Sequence, residues 1–224
     1  MIIVTGGSSG LGKEISDFLR KSGESVLTIS RRKMDISTHL ECDLSNYSSV
    51  KETYKIIRSK GEKVNAIINC AGIASMNLAL TTPPEVTEKV IKTNLIGTIF
   101  CNQIFAPLLI KSGGGRIINF STIAVPLGLK GESIYIASKS GIEGFSRSFA
   151  RELASFKITV NCIAPGPIRT PLLKGITDSQ ISKIVNQQII QKEMKPYNLI
   201  KVIKTLLSPD SSEITGQVIN LGGV

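Results

Sequence analysis

An α/β fold in one domain, with a doubly wound parallel sheet of about seven strands and helices on both faces, is predicted by three features of the sequence. Short β-branched runs alternate with longer stretches of helical periodicity along the whole chain, the rhythm of strand–helix–strand crossovers. The first strand runs straight into a glycine turn and a helix, TGGSSGLGKE, which presents backbone N–H groups and a helix N-terminus to phosphate. At 224 residues the chain has the length of one large α/β domain, spanning 1–224, rather than of two small ones.

IIVT at 2–5 is the opening strand, and the helix after the glycine turn runs over about 11–21. SVLTIS at 25–30 is the next strand and ends at Ser30-Arg31-Arg32. The ten residues 32–41 are short of a crossover helix and read as a turn, with His39 in the polar stretch DISTHLE expected in a solvated loop. A helix over 47–59 and the strand VNAIIN at 64–69 follow. Thr82-Pro83-Pro84-Glu85 predicts a helix start, with Thr82 as cap, Pro83 in the first helical position and Glu85 closing a capping box. That helix continues to 110. RIINF at 116–120, a helix over 133–155, ITVNCI at 158–163, helices over 181–192 and 199–207, and QVINL at 217–221 complete the chain. Sheets of this kind bind ligands beyond the carboxyl ends of their strands.

Composition excludes several functions. With 42% hydrophobic and 20% charged residues, the chain is an ordinary globular one, neither disordered nor fibrous. Lys and Arg exceed Asp and Glu by ten, so anions should be attracted. The basic residues are scattered, without aromatic interleaving or a recognition motif, which favours a phosphorylated cofactor or an acidic carrier over nucleic acid. Cys42, Cys70, Cys101 and Cys162 lack paired spacing and read as reduced thiols of a cytoplasmic protein. A single histidine leaves no His-rich metal site, and no metal is expected. With a strand from Ile2 no signal peptide is expected, and no apolar run of eighteen residues marks a membrane span. NLIGTIFCNQIFAPLLI, interrupted by Asn94, Asn102 and Gln103, reads as a buried helix.

Two phosphate-binding readings compete for the glycine turn. From Gly7, GSSGLGK fits a nucleotide-triphosphatase loop but puts Glu14 where Ser or Thr should hold Mg²⁺, and the strand ends AIINCAG and INFST offer no acid for the metal. From Thr5, T-G-x-x-x-G-x-G is a dinucleotide turn, and this reading gains at the second strand. NAD sites usually place an acid there for the ribose 2′-OH, whereas Ser30-Arg31-Arg32 supplies hydroxyl and guanidinium groups suited to a 2′-phosphate. YIASK adds chemistry: Tyr135 and Lys139 lie four apart on a predicted helix and leave the same face. A nearby ammonium can lower a phenol pKa by about 1–3 from its reference near 10, which makes tyrosine usable as acid or base.

Together these motifs resemble the short-chain dehydrogenases/reductases of the single-domain, Rossmann-like kind, and are similar to the 3-oxoacyl-acyl-carrier-protein reductases among them. The resemblance covers residues 2–223 and rests on TGGSSGLG, CDL (42–44), NCAG (69–72), TNLIG (93–97), YIASK, PGPIRTP (165–171) and ITGQVINLGG (214–223). It implies cofactor contacts from Gly6, Ser8, Ser9, Gly10, Leu11 and Gly12. It adds Asp43 and Leu44 at the adenine, Asn69, Ala71 and Gly72 along the cofactor, and Pro165, Gly166, Ile168 and Thr170 at the nicotinamide. It implies that Tyr135 is the acid/base and that Lys139 tunes it and holds the ribose, while Asn94 anchors a proton-relay water. The family's serine stands thirteen residues before the tyrosine. That count reaches Thr122, with Ser121 as the alternative if the loop carries an extra residue.

The implied function is an NADP(H)-dependent oxidoreductase interconverting a carbonyl and an alcohol. A catalytically idle NADP-binding sensor or interaction protein stays open as the other class. Residues 73–80, 123–134 and 167–191 should wall the substrate pocket; they are largely apolar with a few cations, Lys130, Arg169 and Lys174. They suit a 3-oxoacyl thioester on an acyl carrier or a small apolar ketone better than a polyol. The family's pairing of long helices implies a homodimer or homotetramer. Here the helices of 84–110 and 133–155 carry more apolar surface, including Ile99, Phe100, Phe105, Phe145 and Phe149, than one sheet face should cover.

Overall fold

The computed structural model describes residues 1–224. Its strands are β1 (Ile2–Thr5), β2 (Val26–Ser30), β3 (His39–Glu41), β4 (Ala66–Asn69), β5 (Gly115–Phe120), β6 (Ile158–Ala164) and β7 (Val218–Asn220). Its helices are α1 (Gly10–Lys21), α2 (Tyr47–Ser59), α3 (Pro84–Ile91), α4 (Gly97–Ser112), the short α5 (Ala124–Leu127), α6 (Ser133–Leu153), α7 (Asp178–Val185) and α8 (Pro196–Leu207). All seven strands run parallel in the order β3-β2-β1-β4-β5-β6-β7. Strand order reverses beside β1, and the crevice there is where such sheets take their ligands.

Period-two alternation distributes the strand side chains to two cores. Ile3, Ile67 and Ile117 join Val50 and Ile57 of α2, Phe105 and Leu109 of α4 and Phe149 of α6. Val4, Ile68 and Ile118 face Ile15 and Leu19 of α1 and Leu199 and Ile203 of α8. Covered on both faces, β1, β4 and β6 are buried along their whole length and are rich in isoleucine and valine.

Local structure departs from expectation at several points. Thr82 does not cap: its hydroxyl donates to the Leu78 carbonyl at 2.9 Å, Pro83 is the cap and Pro84 takes the first helical position. A proline at the cap has no side-chain oxygen to offer, so no capping box forms. Between α3 and α4 the helix widens into one π turn, Lys92–Ile96, centred on Asn94. This helical stretch, Pro84–Ser112, is long and apolar enough to cross a bilayer by length and composition, yet it packs on the sheet with Phe105 and Leu109 fully buried. Burial of Phe105 and Phe149 also means that the sheet covers more of these helices than their apolar content implied. Residues 32–41 hold a turn, as expected, but close with a three-residue strand, and His39 is buried rather than solvated.

The helix expected over 181–192 stops at Val185. Beyond it the Gln188 side chain, 3% exposed, is wedged between two glycines: a Cβ on Gly166 or on Gly222 would lie 2.2 Å from its Oε1. Ile190 N–H donates to the Gly222 carbonyl at 2.8 Å, so this segment is tied to the chain's C-terminal turn instead of continuing the helix.

Candidate active site

A cleft of about 710 Å³ opens over the carboxyl ends of β1, β2, β4, β5 and β6. Of the residues expected at a cofactor, all but Asn69 line it.

At one end is the glycine turn. Gly6 holds φ +73°, and a Cβ on Gly12 would sit 2.4 Å from the Gly6 carbonyl oxygen, so the turn closes onto the helix only with glycine at both positions. Ser9 begins α1 without a side-chain cap, and the first turn carries no acid. Its N–H groups therefore face the cleft with partial positive charge and no partner within the helix. Arg31 and Arg32 line the same end, exposed. Behind them His39 Nε2–H donates to the Arg32 carbonyl at 2.9 Å, since a carbonyl can only accept, and Nδ1 shares a hydrogen bond with Thr28 Oγ1 at 2.9 Å. The imidazole thus braces the basic turn. Ser30 donates its own proton to the same carbonyl at 3.0 Å. Asp43 accepts from both Ser45 N–H (3.0 Å) and Ser45 Oγ (2.7 Å). Partial burial alone would raise its pKa; the Ser45 bonds together with Arg31 and Lys92 hold it below the usual value.

Tyr135 and Lys139 occupy the other end. They lie on the buried face of α6 with Ile142, Ser146 and Phe149, a 3–4 spacing that turns both toward the sheet. Thr122 lines the same end of the cleft; its hydroxyl accepts from Ala124 N–H at 3.2 Å and is near enough to the Tyr135 phenol to hold its pKa down. Ser121 instead donates to Glu143 Oε1 at 2.6 Å. Lys139 Nζ donates to the Phe120 carbonyl at 2.8 Å and lies 5.8 Å from the Tyr135 ring centroid.

The electrostatics differ from the expectation that Lys139 depresses the phenol. Burial pushes the Tyr135 pKa up, Glu132 adds to the rise, and only the Thr122 hydrogen bond opposes it. Burial also holds Lys139 down at about 8, and its hydrogen bond goes to a backbone carbonyl rather than to the phenol.

Asn94 lies beneath this pair. Its Nδ2 donates to the Ile73 carbonyl (2.9 Å) and to Ser138 Oγ (3.1 Å), while Oδ1 accepts from Ile73 N–H at 2.8 Å. A Cβ on Gly72 would meet Asn94 Oδ1 at 3.3 Å and Lys139 Nζ at 3.6 Å, so the two side chains converge there. With its amide protons committed to protein partners, the Asn94 side chain clamps the 73 loop to α6. Asn69, 2% exposed, donates to Asn119 Oδ1 at 2.8 Å inside the sheet–helix layer, in a chain that runs on through Asn119 Nδ2 to Ser146. It supports the site from behind instead of lining it.

Sequence reading missed His39, Ser138, Glu132 and Gln188. Only Glu132 left a signal, an acid one helical turn before the tyrosine in an otherwise apolar wall. Arg169, expected among the pocket cations, is bound by Glu193 (2.7 and 2.9 Å) and Asp178 (2.8 Å). All four cysteines are free.

Residues 1–181 match the family model described as short chain dehydrogenase. The chain belongs to the short-chain dehydrogenases. Among relatives of this dehydrogenase, carbonyl reductase family member 4 of Xenopus tropicalis is 34% identical, with 98% of this chain and 95% of the relative covered. A 3-oxoacyl-acyl-carrier-protein reductase of Vibrio cholerae is 30% identical, with 99% and 95% covered. The ligand-free aldohexose dehydrogenase structure of Thermoplasma acidophilum superposes with a TM-score of 0.89 at 27% identity, covering 99% of this chain and 92% of that one. Actinorhodin polyketide ketoreductase with NADPH shares the fold, with a TM-score of 0.88 at 24% identity and coverage of 98% and 94%. As a short-chain dehydrogenase the protein is an oxidoreductase of CH–OH and C=O groups that uses a nicotinamide cofactor.

Proposed function

We propose that this dehydrogenase uses NADPH to reduce a ketone to an alcohol, and the observation that carries the reading is the gathering of Thr122, Tyr135 and Lys139 in one cleft, with the tyrosine and the lysine one turn apart on the buried face of α6. The glycine turn and the uncapped α1 terminus fit a pyrophosphate, and Arg31 and Arg32 fit a ribose 2′-phosphate. A bound nicotinamide supplies the hydride. Thr122 donates to the carbonyl oxygen and polarises it, and Tyr135 delivers its proton to that oxygen as negative charge develops. A phenol held protonated by burial suits this direction. Lys139 sets a positive charge beneath the reacting pair, and Asn94 positions the loop and helix that carry it.

With Arg169 neutralised by two carboxylates, the cleft rim offers less attraction to an acidic carrier than the sequence implied. A free ketone with an apolar body is the better substrate for walls such as Ile123, Leu129 and Ile184.

Initial rates with a ketone panel test the reading. NADPH is expected to be preferred over NADH by at least tenfold, and Arg31→Asp to erode or reverse the preference, because a carboxylate repels the 2′-phosphate and accepts from a 2′-OH. Equal use of both cofactors by the unaltered enzyme would place the arginines in solvent. The same proposal includes self-association through the helices of 84–112 and 133–153, where Ile99, Phe100 and Phe145 remain only half-buried. Sedimentation at micromolar concentration should give a dimer or tetramer mass; a monomer removes this part.

A further inference from the structure

Apart from its electrostatic effect on Tyr135, Glu132 has no part in the proton and hydride transfers. It stands at the head of α6, one turn before Tyr135, borders the cleft and is only 8% exposed. Its carboxyl makes no cap hydrogen bond and joins none of the protein's ion pairs. Its oxygens are not among the protein's buried unpartnered atoms, so they open onto the cleft, where a ligand hydroxyl can take the place of water. The walls of the cleft include the apolar side chains of Leu129, Ile181 and Ile184. The only other carboxylate lining the cleft, Asp43, is at the opposite end and already bonded to Ser45. Glu132 is therefore the one acidic group at the reactive end, close enough to Tyr135 to act on the phenol electrostatically.

Building on the reductase reading, we propose that Glu132 makes the enzyme selective for hydroxyketones, with the substrate's hydroxyl on one of the two carbons nearest the carbonyl and hydrogen-bonded to the Glu132 carboxyl. Three features choose a hydroxyl over other partners. A second carbonyl has only lone pairs, so it can pair with the carboxyl in the protonated state alone. An ammonium would enter a chain of net charge +10, in a cleft also lined by Lys139 and Lys174. A carboxylate substrate would be repelled. A hydroxyl both donates and accepts, so it pairs with the carboxyl in either protonation state, and burial does favour the protonated one. The apolar walls take the rest of the molecule. Sites built to bond a hydroxyl reject the analogue lacking it, whereas apolar pockets discriminate weakly.

The test uses pairs of ketones that differ by OH in place of CH₃: 1-hydroxyhexan-2-one against heptan-3-one, and 1-hydroxyheptan-3-one against octan-4-one, each with NADPH. At least one hydroxyketone should exceed its partner tenfold in kcat/KM. Glu132→Leu should bring that ratio to about one, and Glu132→Gln, whose amide still bonds a hydroxyl, should fall between. A wild-type ratio near one, or a Glu132→Leu variant that loses both members of a pair equally, overturns the proposal and makes Glu132 a support for α6. Binding provides a readout independent of turnover: saturation-transfer NMR of hexane-1,2-diol and heptan-3-ol with wild type and Glu132→Leu. If no ketone is reduced, the reductase reading fails by itself. A diol preference that vanishes in Glu132→Leu still supports the carboxyl as hydroxyl selector, and no diol preference overturns it.

Discussion

Tyr135→Phe is expected to leave NADPH binding nearly intact and to lower ketone reduction by ~10²-fold or more, the scale set by loss of a positioned acid. The substitution removes one oxygen from a side chain that is 8% exposed and keeps the ring that packs beside Lys139, so the fold should not respond. Fluorescence titration of NADPH and initial rates separate the two effects. The pH dependence carries a sign. Burial and Glu132 raise the phenol pKa, so the proton donor persists through neutral pH and reduction should not gain from acidification there. Alcohol oxidation needs the phenolate and should climb as pH rises toward the alkaline limit. A Tyr135→Phe enzyme that retains wild-type turnover would assign the proton to another group.

Thr122→Val should cost ~2–4 kcal/mol of transition-state stabilisation, the scale for one lost donor to a developing oxyanion. Valine keeps the branched shape and removes only the hydroxyl, so the walls of the cleft stay in place. Ser121→Ala should affect rate far less, because the Ser121 proton is directed to Glu143 at 2.6 Å and not to the phenol. Its effect belongs to stability: a part-buried hydrogen bond contributes about 0.5–1.5 kcal/mol. Comparing kcat/KM and melting temperature for both variants checks the pair. A larger rate loss in Ser121→Ala would exchange the roles and place an extra residue in the loop before Tyr135.

The chain order of strands and helices was legible because each depends on local pattern. Runs such as IIVT and AIIN are buried on both faces in a parallel sheet, and that burial writes continuous apolar residues into the sequence. The glycine turn was legible for a similar reason, since left-handed backbone at Gly6 and close approach at Gly12 exclude side chains. So was the Tyr135–Lys139 pairing, which needs only helical geometry.

What depends on residues far apart could be decided only by the tertiary structure. His39 sits in a polar stretch and reads as solvated, but pairing of β3 with β2 brings Thr28 and the Arg32 carbonyl to its ring. Which neighbouring hydroxyl meets Tyr135 turns on the path after β5, where Ser121 faces Glu143 and Thr122 faces the phenol. Asn94 became a clamp because a π turn aims it at Ile73 and Ser138, 21 and 44 residues away. Lys139 and Tyr135 took pKa shifts set first by burial, a property of the packed cleft and not of their spacing. Local pattern thus determined the elements and the chemical parts, while hydrogen-bond partners and desolvation, which exist only once distant segments pack, decided what each part can do.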